Sequence, residues 1–240
     1  MTYDIRTIAF LAEILHPPMD LEAKAIQGLH AELFDIPELA YRNFTLAPDG
    51  IHMTNPVDQP GAVSSVSFLI DRIQFREEMT GMTVEEFGRR MEGVLQRAVP
   101  ARDLPLATGQ QFVVRSLLNP RHSQDSRQFL AQAVCRIDPP ELEAFQRPLG
   151  LFGLKVVFPQ LPQDPSLFSL RIESFNQDPR SLFLENVGTF SHCMLPQGLE
   201  ELLGNLKRTY DFLDQKATAF LARFDRPPGS RPEEPPERES

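Results

Sequence analysis

Tryptophan is absent from this sequence, tyrosine occurs three times, and Cys135 and Cys193 are the only cysteines. Two thiols so far apart cannot build a disulfide framework or a four-cysteine zinc site. No uninterrupted apolar stretch is long enough to cross a bilayer. Met1 to Asp20 carries Asp4, Arg6 and Glu13 and has no small-residue cleavage pattern, so it does not read as a signal peptide. Lysine is scarce as well: Lys24, Lys155, Lys207 and Lys216 are the only ones, and arginine supplies the other basic residues. The net charge of −9 denies the chain the basic footprint of a nonspecific nucleic-acid binder and disfavours anionic membranes. These absences lead us to expect a soluble, cytoplasmic protein that engages neither nucleic acid nor membrane.

Catalytic signatures are missing too. No strand is followed by G-x-G-x-x-G, "GLFGLK" lacks the spacing and hydroxyl of a Walker loop, and there is no G-x-S-x-G or H-E-x-x-H. The histidines His16, His30, His52, His122 and His192 are scattered, with no pair four residues apart. His192 and Cys193 adjoin, but neighbours on an extended strand point to opposite faces and cannot form a nucleophile–base pair. No cofactor, metal site or catalytic residue is expected.

What is present is pattern. "IAFLAEILHPPMDLEAKAIQGL" and "QFVVRSLLNPRHSQDSRQFLAQ" each run from a strand-length apolar stretch through a proline stop into a capped helical pattern. After the first come Tyr41–Leu46 and Ile51–Thr54 around the turn "APDG", then a long strand Ser65–Glu77. A helix follows, with Thr83 and Glu86 as its capping box and Val84, Phe87, Met91, Val94, Leu95 and Ala98 as its buried stripe. After the second come a helix Asp125–Ile137, strands Leu151–Phe158, Leu167–Phe175 and Leu182–Phe190, and a last helix Leu199–Phe224. The class is α+β: two tandem β-α-β-β-β-α units with mainly antiparallel sheets and a long C-terminal helix. The units are expected at 1–99 and 110–225. Residues 226–240, "RPPGSRPEEPPERES", have little to bury and read as a disordered tail.

The stretches "AEILHPPMDLEA", "IDRIQFREEMTGMTVEEF", "VVRSLLNPR" and "LEELLGNLKRTYDFL" resemble a sporadically distributed family of uncharacterised bacterial proteins of similar length. The resemblance spans Glu13 to Asp225. This sequence departs from it in carrying "PRHSQDSR" where an acidic loop is usual, and the resemblance implies no activity.

Two places could carry function. Pro105 to Ile137 holds Arg115, Arg121, Arg127 and Arg136 against Asp125 alone. Arg121 and His122 precede a helix start, where free N–H groups favour an anion, and Ser123 and Ser126 could add donors. A phosphorylated small molecule would suit it, with hydrolysis conceivable. Against this, Asp125 can fill the cap itself and the arginines can pair with surface carboxylates. In "DRIQFREE", Arg72, Gln74 and Arg76 share one strand face, and Ser169, Arg171 and Glu173 repeat the habit in the second unit. Such strands could line a groove between the units, or simply be the solvated face of a sheet. Glu13 and Arg115 hold similar places in the two first strands and could pair. The reading that follows is a non-enzymatic binding or adaptor protein that holds a protein or peptide partner in the groove. An anionic small molecule at Arg121 and His122 is the alternative.

Overall fold

The computed structural model describes residues 3–227. Strand β1 (Arg6–Leu15) leads to helix α1 (Ala23–Phe34), strands β2 (Asn43–Ala47), β3 (Gly50–Thr54), β4 (Val63–Phe68) and β5 (Arg72–Glu78), and helix α2 (Val84–Ala101). The second half comprises β6 (Leu106–Ala107), β7 (Gly109–Leu118), α3 (Ser126–Gln128), α4 (Pro139–Glu143), β8 (Gly153–Phe158), β9 (Leu167–Ser174), β10 (Leu182–Phe190), β11 (Cys193–Met194) and α5 (Leu199–Asp211). A π-helical stretch, Phe212–Ala217, carries α5 into α6 (Thr218–Ala222), so the chain's last helix is long but changes pitch.

Nine strands form one antiparallel sheet in the order β2-β3-β4-β5-β1-β7-β10-β9-β8, and β6 and β11 pair separately. The two halves do not own separate sheets: β1 and β7 hydrogen-bond directly at the centre. The seam between them is therefore a strand pair and not a cleft.

All the long helices lie on one side. The strand alternation sends Phe10, Ala12 and Ile14 of β1 and Phe112 and Val114 of β7 toward them, and all five are buried. Phe10 stacks on Phe87 of α2 at 5.4 Å and approaches Tyr210 of α5 at 6.3 Å, so both helices seat on the central strand. A single apolar cluster runs from Ile26 and Leu33 to Leu213 and Leu221. Helix α2 begins where the sequence says it should: Glu86 N–H donates to the Thr83 hydroxyl at 3.2 Å, and Thr83 N–H donates to the Glu86 carboxylate at 2.8 Å. Every residue of its expected stripe is buried.

Three expectations need correction. Ser65–Glu77 is not one strand but the hairpin β4–β5, closed by the Leu69 N–H on the Arg72 carbonyl at 2.9 Å with Ile70 turned to solvent. The first half therefore has four strands after its helix. Asp125–Ile137 is not a regular helix either. Three α-helical residues give way to a π-helical stretch, Phe129–Val134, which buries Ala131 and leaves Ala133 and Val134 partly exposed. Leu151–Phe158 starts two residues late, at Gly153. Of the tail expected at 226–240, residues 228–240 lie outside the described residues.

Candidate functional site

The sheet face away from the helices is covered by nothing among the described residues, and most of its side chains are half-buried by their neighbours alone. Strand register sets three rows across it. One row places Glu78, Ala9, Arg115, Glu185 and Arg171 side by side on β5, β1, β7, β10 and β9. The next is Arg76, Leu11, Val113, Val187 and Ser169. A third is Gln74, Glu13, Gln111, Thr189 and Leu167. A mostly apolar strip thus runs between two polar ones.

The charged row is a continuous ladder. Arg115 donates through Nε to Glu185 at 2.7 Å and reaches Glu78 at 3.5 Å, passing over the small side chain of Ala9. Glu185 also takes Arg171 at 3.2 Å, and Glu173 lies 3.6 Å from the same guanidinium. Arg171 lies over the Phe183 ring at 5.1 Å, yet its buried Nε has no hydrogen-bond partner. Arg76 pairs with Glu78 at the other end. Half-exposed pairs of this kind stabilise a fold by about 0–1 kcal/mol each. They also hold the long side chains of the row in one arrangement.

The sequence-derived residues fall into two places. Arg72, Arg76, Arg171 and Glu173 share this face, and Arg115, assigned from sequence to the anion cluster, joins them. Arg72 pairs with Glu13 at 2.9 Å and with Asp71 at 3.0 Å, and Gln74 donates to Glu13 at 2.7 Å. Glu13 and Arg115 do not meet. Gln111 stands opposite Glu13 and Ala9 opposite Arg115, and the β1–β7 register shifts between Thr7 and Ala9.

Arg121, His122, Ser123 and Arg127 lie elsewhere, in and just after the loop from β7 to α3. The main-chain N–H groups of Arg121 and His122 donate to the Asp225 carboxylate at 2.6 and 2.9 Å, and the Tyr3 hydroxyl donates to it as well. Arg121 lies over the Tyr3 ring at 5.5 Å. Burial, then the Asp225 hydrogen bond, pushes the Tyr3 hydroxyl well above its usual pKa. The Ser123 hydroxyl donates to the Asp125 carbonyl at 3.0 Å. Asp125 caps α3 through the Arg127 N–H at 2.8 Å and binds the Arg127 guanidinium at 2.7 Å. Ser126 is fully buried, with its hydroxyl unpartnered. A carboxylate from the far end of the chain thus takes the main-chain donors that the sequence offers to an anion.

Sequence reasoning did not find Asp225, whose only signal is an acidic residue between a helix end and a proline-rich stretch. It also missed the buried pair on the helix side, where Arg90 donates to Glu77 at 2.7 Å and Ser64 to the same oxygen at 2.8 Å. Burial pushes the Glu77 carboxyl upward and Arg90 opposes that shift. Among the described residues no group of three His, Cys, Asp or Glu could hold a metal ion, and no helix is long and apolar enough to cross a membrane. Cys193 is buried, with its thiol pushed up to about 11 by desolvation, and Cys135 is exposed.

No protein-family model matches the sequence, and no curated protein matches it.

Proposed function

We propose that this chain is a cytoplasmic, non-enzymatic binding protein whose uncovered sheet face holds a segment of a partner protein. The observation that carries the reading is the apolar strip Leu11, Val113 and Val187 set beside a pre-paired ladder of arginines and glutamates. An apolar strip between polar rows is the anatomy of a protein-binding patch.

The same proposal takes the two halves as copies of one module. Supporting it, β3-β4-β5-β1 and β8-β9-β10-β7 follow the same chain order and sheet order, and α2 and α5 succeed each set. Pairing β1 with β7 would then have fused two modest binding faces into one broad one. Kinship with the sporadically distributed bacterial family belongs to this reading and brings no reaction with it.

The test compares the wild-type chain with Val113→Glu, a substitution on the outward side of β7. Immobilised wild-type chain should retain a host protein in stoichiometric amount, and the variant should lose it while keeping its circular dichroism spectrum. No retained protein, or equal retention by both, contradicts the proposal.

A further inference from the structure

At the end of the sheet, β8 has β9 on one side and, among the described residues, no strand on the other. Ser174 N–H donates to the Phe152 carbonyl at 2.8 Å just before the β8–β9 ladder, which fixes the alternation of its hydrogen bonds. Leu154, Val156 and Phe158 therefore spend their main-chain groups on β9. Lys155 and Val157 turn their N–H and C=O groups outward. Five of the six residues of β8 are exposed, among them Val156, Val157 and Phe158. A strand edge in this state is a template for another strand, and natural edges are ordinarily blunted by charge, proline or bulges. Here Lys155 is the one charged residue in the strand.

Next to the edge, on the helix side, lies a depression of about 410 Å³ walled by Phe158, Phe168, Leu161 and Phe212. Phe168 and Phe212 stack at 4.5 Å, and Phe158 meets Phe212 edge-on at 5.1 Å. The wall is set by the π-helical stretch that begins at Phe212, a winding that recurs where helices do work beyond packing. The charges around it are mostly neutralised: Arg208 bonds both oxygens of Asp164 at 2.8 and 2.9 Å, and Lys207 holds Asp211 at 3.0 Å. Lys216 lines the same depression and, like Lys155 on the opposite face, makes no ion pair among the described residues.

We propose that β8 is a docking edge for an extended acidic peptide of a partner protein. The peptide adds a tenth strand to the sheet and places an aromatic side chain in the depression beside Phe158 and Phe212. Main-chain hydrogen bonds to Lys155 and Val157 supply the pairing. The aromatic anchor and the two unpaired lysines supply the selection. Two nearer occupants fit less well. A second copy would bring the same lysines against themselves. The chain's own residues 228–240 contain no aromatic or aliphatic side chain to serve as anchor. The edge shares only Lys155, beside Arg171, with the face proposed above, and either proposal can fail alone.

The probe is a short fluorescent peptide alternating glutamate with valine and carrying one phenylalanine, titrated with the full chain and followed by anisotropy. Saturable binding is expected. Val157→Pro removes an outward N–H that serves no internal bond, so it should weaken binding about tenfold or more. Lys155→Glu with Lys216→Glu should weaken it about as much at low salt. Should Val157→Pro fail to fold by circular dichroism, the lysine variant decides. Affinity unchanged in Val113→Glu separates this edge from the sheet face. No binding by the wild-type chain, or binding undiminished in either folded edge variant, overturns the proposal. A dimer that Val157→Pro dissociates, without peptide binding, assigns the edge to a second copy and overturns it as well.

Discussion

Arg115 Nε donates to Glu185 at 2.7 Å across the boundary between β7 and β10, on the sheet face opposite the helices. Both side chains are partly open to solvent, which limits what the pair adds to stability. Arg115→Ala should cost about 1 kcal/mol or less in urea unfolding. A loss of several kcal/mol would show that the ladder serves folding and not binding.

At Gly188 α5 packs tightly against the sheet. A Cβ there would stand 2.2 Å from the Thr209 hydroxyl and 2.9 Å from the Phe190 ring. The helix is held at that distance by Asn186, whose Nδ2 donates to the Thr209 carbonyl at 2.8 Å. Gly188→Ala should cost about 3 kcal/mol by overpacking, a fall in Tm of roughly 6–12 °C for a chain of this size. Adding Thr209→Ala should recover part of that loss, because the two positions share one contact. Calorimetry on the two variants checks both numbers.

Asp225 joins three distant parts of the chain: the N-terminal segment through Tyr3, the loop after β7 through Arg121 and His122, and the end of the last helix. Asp225→Ala strands main-chain donors that the carboxylate now satisfies. The expected cost is about 1.5–3 kcal/mol, as for hydrogen bonds to a charged group. Hydrogen exchange should quicken at Arg121, His122 and the α6 end while β1 and β7 stay protected. Uniform exchange unchanged from wild type would remove the clasp from the account.

Asp164 gives a pH dependence with a definite sign. The Ser166 hydroxyl first, and Arg208 with it, hold its carboxyl down at about 2. A carboxylate whose folded pKa lies below its unfolded value of about 3.9 stabilises the fold fully above that value and stops doing so as pH falls toward 2. Denaturant midpoints between pH 5 and 2 should therefore fall less steeply in Asp164→Asn than in wild type. The difference should be small and salt-sensitive, because the side chain is 41% exposed. Parallel curves would contradict the assignment.

Local chemistry was legible in the sequence, and long-range geometry was not. Thr83 and Glu86 announce the start of α2 because a capping box is complete within four residues. The outward placing of Arg72, Gln74 and Arg76 follows from the two-residue period of a strand. The break between β4 and β5 escaped because its turn, Leu69 to Asp71, has no glycine or proline to mark it. Glu13 and Arg115 looked like partners by position, but the antiparallel register sets Gln111 opposite Glu13 and Ala9 opposite Arg115. The Asp225 clasp joins residues 104 apart in sequence, and no local pattern encodes it. The π-helical stretch at Phe212 carries no composition cue, so the aromatic depression beside it emerged only with the fold.

The sheet face is tested most directly by a photo-cross-linking amino acid placed at Val113, in the centre of the apolar strip, and for comparison at Gln27, exposed on α1. Irradiation in the host cell should give a discrete adduct with one protein from position 113 and none from position 27. The adduct should disappear when Arg115→Glu is added. No adduct at 113, or the same adducts from both positions, would contradict the account.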